Sequence, residues 1–309
     1  MKNIHKTLIF IALAIGASII SCTSVNNSGQ QGQTSDTTKN APQQQTLDPN
    51  SAAVVKYNNR LFSVPSPIQL ASVIKKINLP YNRELLNNVN KRQEYTTSFK
   101  QAVNLGIYGA NLGYINVFEQ LQDAASYFGA IRTLSQELGI MNQFNEATMK
   151  RIEQNNGNKD SLLYIASIMY RESDAYLMEA ERNEIGALII AGGWVEGLYL
   201  LTHVENTEKL PQEIVELIGQ QKTPLNNLIE MLRPYYGKLT EEYDSFLEEL
   251  SDLASVFDTI TIKYTYQPPV TNEEKKITEI NCQTKTEINA QQLKSITQKI
   301  EKLRAKITN

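Results

Sequence analysis

From about residue 66 to residue 258, apolar side chains recur every three or four positions, a spacing that predicts helix almost throughout. Ser66-Pro67 reads as an N-cap followed by proline at the first helical position, with Leu70, Val73, Ile74 and Ile77 on one face and Leu79-Pro80 as the stop. Phe99, Val103, Ile107, Ala110, Tyr114, Val117, Leu121, Ala124, Phe128, Ile131, Leu134 and Leu138 keep the same step. A run that long is expected to contain a turn, placed at Gln122-Asp123, and to close at Gly139 as a C-cap. Further helices are expected over 144–152, after Asp160 along Leu162, Ile165, Met169, Tyr176 and Ala180, and from Asn183 to His203. Pro211, Pro224 and Thr240 each open another. Then the period changes to two: Ile260, Ile262, Tyr264 and Tyr266 alternate, as do Ile280, Cys282, Thr284, Thr286 and Ile288, a pattern for two paired strands. Asn289 caps a final amphipathic helix on Leu293, Ile296, Ile300, Leu303 and Ile307. The expected fold class is all-α: a multi-helix bundle over 51–258, with a small C-terminal β-hairpin appendage and a last helix packed on it over 259–309.

The first 50 residues follow another logic. Lys2, His5 and Lys6 precede the apolar stretch Leu8–Ile20, which has the length of a signal-peptide core and is short for a membrane span. It ends Ile19-Ile20-Ser21-Cys22, which resembles the lipobox of bacterial lipoproteins. That resemblance implies removal of residues 1–21 and acylation of Cys22, and several acyl chains together hold a protein stably to a bilayer. Residues 28–46, rich in Gln, Ser, Thr, Asn and Gly, cannot bury a core, so 22–50 is expected to be a flexible linker. Thr23 rather than an aspartate follows the cysteine, which favours the outer membrane. No acid precedes Asp36, which favours the periplasmic face over the cell surface.

Composition narrows the chemistry. Removing residues 1–21 takes away Lys2 and Lys6 and moves the net charge from −3 to −5, unlike the basic footprint of a nucleic-acid binder. Cys282 is then the one unmodified thiol and has no intramolecular disulfide partner. The mature chain holds His203 alone, so zinc sites built on several His or Cys ligands are not expected, and neither is any other metal or cofactor. G-x-S-x-G, G-x-G-x-x-G and phosphate-loop motifs do not occur, so no catalytic residue is assigned.

Two glycine-studded helices stand out, GIYGANLGYINVF (106–118) and IGALIIAGGWVEGLYLL (185–201). Glycine costs about 1 kcal/mol against alanine inside a helix, so several together need a reason. Gly109/Gly113 and Gly193/Gly197, each pair four apart, are the expected places for a close helix–helix approach or a ligand cleft. Aligned on their glycines the two segments also suggest an internal duplication about 84 residues apart. The second is apolar enough to pass for a membrane span but reads as the most buried helix of the bundle, with Trp194 in the core. Its one charge, Glu196, must be paired or protonated and is the candidate buried functional carboxylate; Arg171, Arg182 and Lys150 are the candidate partners.

The blocks IYGANLGYINVFEQ, YFGAIRTLSQELGI, DSLLYIASIMYRESDAYLMEAER, IIAGGWVEGLYLL and QLKSITQKIEKLRAKI resemble a group of uncharacterised lipoproteins of Bacteroidota, over most of the chain from about residue 65. The resemblance implies a helical exported protein and assigns neither activity nor ligand. Three functions are compatible with the sequence. The first is a non-enzymatic envelope protein that binds a protein, a peptide or another envelope component. The second binds a glycan or small molecule beside the Gly-rich helices. The third is a hydrolase using paired carboxylates such as Glu172/Asp174, or Glu179 with Glu196.

Overall fold

The computed structural model describes residues 54–57, 60–64, 67–140, 150, 180–204, 210–272, 277–279 and 283–309. The expectations for Cys22, the linker, Ser66, Cys282, the helices over 144–152 and after Asp160, and Arg171, Glu172, Asp174 and Glu179 lie outside these residues.

Eight α-helices carry the described fold. They are α1 (Pro67–Lys76), α2 (Ser98–Val117), α3 (Leu121–Glu137), α4 (Asn183–His203), α5 (Gln212–Gly219), α6 (Lys222–Leu232), α7 (Glu241–Asp258) and α8 (Ala290–Thr308). The expected all-α bundle with a small C-terminal hairpin is what forms. Three caps follow the sequence directly. Thr97 and Thr240 accept from the amides of Lys100 and Tyr243, and Asn289 with Gln292 forms a reciprocal capping box.

The long apolar run from 99 to 138 breaks at 118–120, a few residues before the expected turn at Gln122-Asp123. Glu119 takes the left-handed conformation there (φ 60°), and the amide of Gln120 reaches back to Ile115 O. Lys75 holds this uncommon glutamate conformation: its Nζ donates to Val117 O at 2.6 Å and to Glu119 Oε1 at 2.7 Å. The same left-handed closure ends α1 at Asn78 and, as the sequence predicts, α3 at Gly139 (φ 73°).

The strands form three two-stranded antiparallel pairs: β1 (Val54–Tyr57) with β2 (Arg60–Ser63), β3 (Thr261–Thr265) with β6 (Gln283–Glu287), and β4 (Val270–Asn272) with β5 (Ile277–Glu279). The pairing of β3 with β6, Thr261 opposite Glu287 through Thr265 opposite Gln283, matches the two alternating runs. The β1–β2 pair was not expected, although two residues between short alternating runs, Asn58-Asn59, are a hairpin signal.

All eight described helices feed one hydrophobic core. α4 lies at its centre, packed by α2, α1, α8, α6 and α5. It is the one described helix long and apolar enough to cross a membrane, and 89% of that apolar window is buried inside the fold. Burial on every side is why it lacks an amphipathic stripe. Trp194 is buried in it, and its indole N–H donates to Gln221 Oε1 at 3.1 Å. The final helix is part of this core rather than a cover on it: Ile296, Ile300 and Leu303 are fully buried.

Gly106 and Gly192 let α2 and α4 touch backbone to backbone, and of the glycines the spacing singled out Gly193 lies at the same crossing, its N 2.7 Å from a Cβ on Gly106. A Cβ on Gly106 would lie 2.0 Å from Ile189 O, and one on Gly192 would lie 2.0 Å from Val103 O. Gly109 instead faces open space, and Gly113 abuts the side chain of Ile68. A four-residue spacing marks a common face but cannot say which turn of that face meets the neighbouring helix.

Candidate functional site

Glu196 has no solvent exposure and is the one charged side chain buried in the described core. Its partner is Arg304, on the last helix, 108 residues away along the chain. Arg304 Nε donates to Glu196 Oε2 at 2.5 Å and Nη2 donates to Oε1 at 2.8 Å, the two-pronged geometry in which guanidinium and carboxylate bind best. Asn111 Nδ2 donates to Oε1 at 2.5 Å. Neither described partner anticipated from sequence takes this place. Arg182 donates to Leu138 O at 2.8 Å, Lys150 is exposed, and Arg171 lies outside the described residues.

The ion pair is one end of a longer polar seam. Asn111 Oδ1 accepts from the amide of Asn87 at 3.0 Å, and Asn87 Nδ2 donates to Tyr95 Oη and to Asn104 Oδ1. Asn104 Nδ2 donates to Ile307 O at 2.7 Å, while Tyr95 and Lys91 donate to Thr308 O. Lys100 Nζ donates to Asn309 O at 2.6 Å. Carbonyls at the end of α8, which have no partners within their own helix, are therefore satisfied by side chains of α2 and of the 3₁₀ turn Val89–Glu94. Two lysines also sit where the helix dipole is negative. Arg304 Nη2 adds a bond to Leu85 O at 2.9 Å.

One sequence signal was open to reading. Asn104 and Asn111, seven apart in a helix rich in apolar residues, lie on the same face as the core stripe. Nothing local pointed to Arg304, because its partners are chosen by the tertiary fold.

Electrostatics agree with the geometry. Burial disfavours the charged form of Arg304, but the Glu196 carboxylate outweighs this and raises the guanidinium pKa. Arg304 Cζ stacks 4.0 Å over the Tyr199 ring, which stacks at 4.0 Å on His203. Burial lowers the His203 pKa, and its Nδ1 lies 2.9 Å from Tyr199 O. Burial, and secondarily the Glu196 charge, raises that of Tyr127, whose hydroxyl donates to Asn87 O.

A carboxylate in this state is poorly suited to acid–base work. Both oxygens already accept from fixed donors, no solvent reaches it, and a substrate would have to displace Arg304. Buried ion pairs of this kind serve best as devices that fix register between elements. Here the device ties α8 to α4 and, through Asn111, to α2. Among the described residues no group of three or more His, Cys, Asp or Glu is placed to hold a metal ion.

Compared with known proteins, the chain matches no protein-family model, no curated protein and no solved structure.

Proposed function

We propose that the chain is a lipid-anchored protein of a bacterial cell envelope, held at the outer membrane and facing the periplasm, that works by binding a protein, peptide or other envelope component. The observation that carries the anchor is the order of features at the start: a basic leader, a short apolar core, Ile19-Ile20-Ser21-Cys22, then a polar stretch that cannot build a core. Support for binding over catalysis comes from Glu196, the sequence's best catalytic candidate, whose oxygens are committed to Arg304 and Asn111. A ligand cleft at the α2–α4 crossing is disfavoured, because carbonyl oxygens fill the space beside Gly106 and Gly192. The test of the anchor is Cys22→Ala. The variant is expected in the soluble fraction of the envelope, with the unaltered chain in the membrane fraction. Membrane retention of the variant would overturn the reading.

A further inference from the structure

Three of the large apolar side chains that the described residues expose lie at alternate positions of one segment: Ile262, 41% exposed, Tyr264, 63%, and Tyr266, 66%. Alternate residues of a strand share a face, as Ile262 and Tyr264 of β3 do, and Tyr266 follows directly after the strand's last residue, Thr265. In the register Ile262 stands opposite Thr286 and Tyr264 opposite Thr284, so no charged residue occupies these positions. The other face of the β3–β6 ribbon is charged, with Lys263 paired to Glu287 at 2.8 Å and Lys285 opposite Lys263. Thr286 is buried against Gly219, which fixes the Ile262 end of the ribbon to α5. From there the stripe runs outward, and exposure rises along it. The ribbon is thus amphipathic, rooted at one end, and presents two tyrosines to its surroundings.

We propose that this face rests in the headgroup region of the bilayer to which Cys22 ties the chain; the proposal rests on the anchored reading above. Tyrosine suits that place because its ring is apolar and its hydroxyl stays wet. The chain outside the described body argues for this occupant. Thirty-one residues separate Cys22 from Val54, a span of at most about 110 Å when fully extended. An anchored body therefore stays near the surface, and a contact too weak to recruit a free protein becomes effectively intramolecular. Charge does not oppose it: residues 259–288 hold four lysines and four glutamates, so the segment is neutral towards an anionic leaflet.

The experiment uses the full lipidated chain in vesicles of phosphatidylethanolamine and phosphatidylglycerol whose acyl chains are brominated near the glycerol. Tyr266→Trp adds a reporter to the buried Trp194, and Tyr236→Trp, on a separate exposed site, serves as control. The expected result is several-fold stronger bromine quenching in the Tyr266→Trp chain than in either the control or the unaltered chain. Combining it with Ile262→Ser and Tyr264→Ser should abolish the excess while far-ultraviolet circular dichroism stays unchanged. Mass spectrometry of the Cys22 peptide separates the two levels. Acylated Cys22 with an unquenched Trp at 266 overturns the ribbon contact and leaves the anchor standing. Unmodified Cys22 overturns both. Equal quenching at 236 and 266 overturns the proposal as mere proximity. Concentration-dependent shielding of the reporter without vesicles, or shielding by added envelope glycan, overturns it in favour of a second copy or a sugar.

Discussion

Replacing Glu196 by Gln, or Arg304 by Met, removes one half of a buried ion pair while nearly keeping its volume. Arg304 retains only 13% side-chain exposure and Glu196 none, so whichever charge remains is left largely out of water. Breaking such a pair from one side costs about 3–5 kcal/mol, a large share of a total stability of about 5–15 kcal/mol. For a domain of this size that corresponds to a fall in Tm of roughly 6–20 °C. The double variant Glu196→Gln/Arg304→Met leaves no unpaired charge but strands Leu85 O and part of Asn111, at about 1–3 kcal/mol each. Its loss should therefore be smaller than the sum of the two single losses, with a coupling of about 2 kcal/mol or more. Urea unfolding followed by far-ultraviolet circular dichroism and by the emission of the buried Trp194 supplies all four stabilities. Additive losses, or single losses below about 1 kcal/mol, would refute the argument that this pair locks α8 to the core.

Two further outcomes follow from the packing and the titrating groups. Gly106→Ala and Gly192→Ala each drive a methyl against a backbone carbonyl of the facing helix and should cost about 3 kcal/mol, at the top of the range for overpacking, whereas Gly109→Ala, with open space around it, should gain up to about 1 kcal/mol in the same unfolding assay. Burial raises the pKa values of Tyr95, Tyr108, Tyr114, Tyr127, Tyr199 and Tyr243, so their neutral forms contribute stability that is complete below the unfolded value of about 10 and is lost as pH rises above it. Absorbance titration should show these phenols ionising only together with loss of helical circular dichroism; independent ionisation near pH ~10 would contradict their burial.

What sequence revealed and what it hid divide along a physical line. Features set by neighbouring residues were legible: the caps at Thr240 and Asn289, the left-handed stop at Gly139, the alternating strands, and the burial of a helix apolar on every side. Alternation at Ile262 and Tyr264 did signal a strand, which stops one residue short of Tyr266, yet not a buried one, because period two records a shared face and not what covers it. The break between α2 and α3 was misplaced, since it depends on Lys75 steadying Glu119 from another helix. The partner of Glu196 could not be chosen from sequence for the same reason, because the fold brings Arg304 to it from 108 residues away. Glycine spacing showed that two helices could approach closely and included Gly193, but the crossing also uses Gly106 and Gly192, outside the spaced pairs, where the docking of α2 on α4 puts it.

The lipid anchor proposed for this core, tied together by Glu196 and Arg304, is open to one direct measurement. Mass spectrometry of the N-terminal peptide from the membrane-bound protein tests the anchor most directly. The expected product is a chain beginning at Cys22 and heavier than its sequence by the mass of a diacylglyceryl group and an amide-linked acyl chain. A chain that retains residues 1–21, or one that begins after Cys22 without lipid, would contradict it.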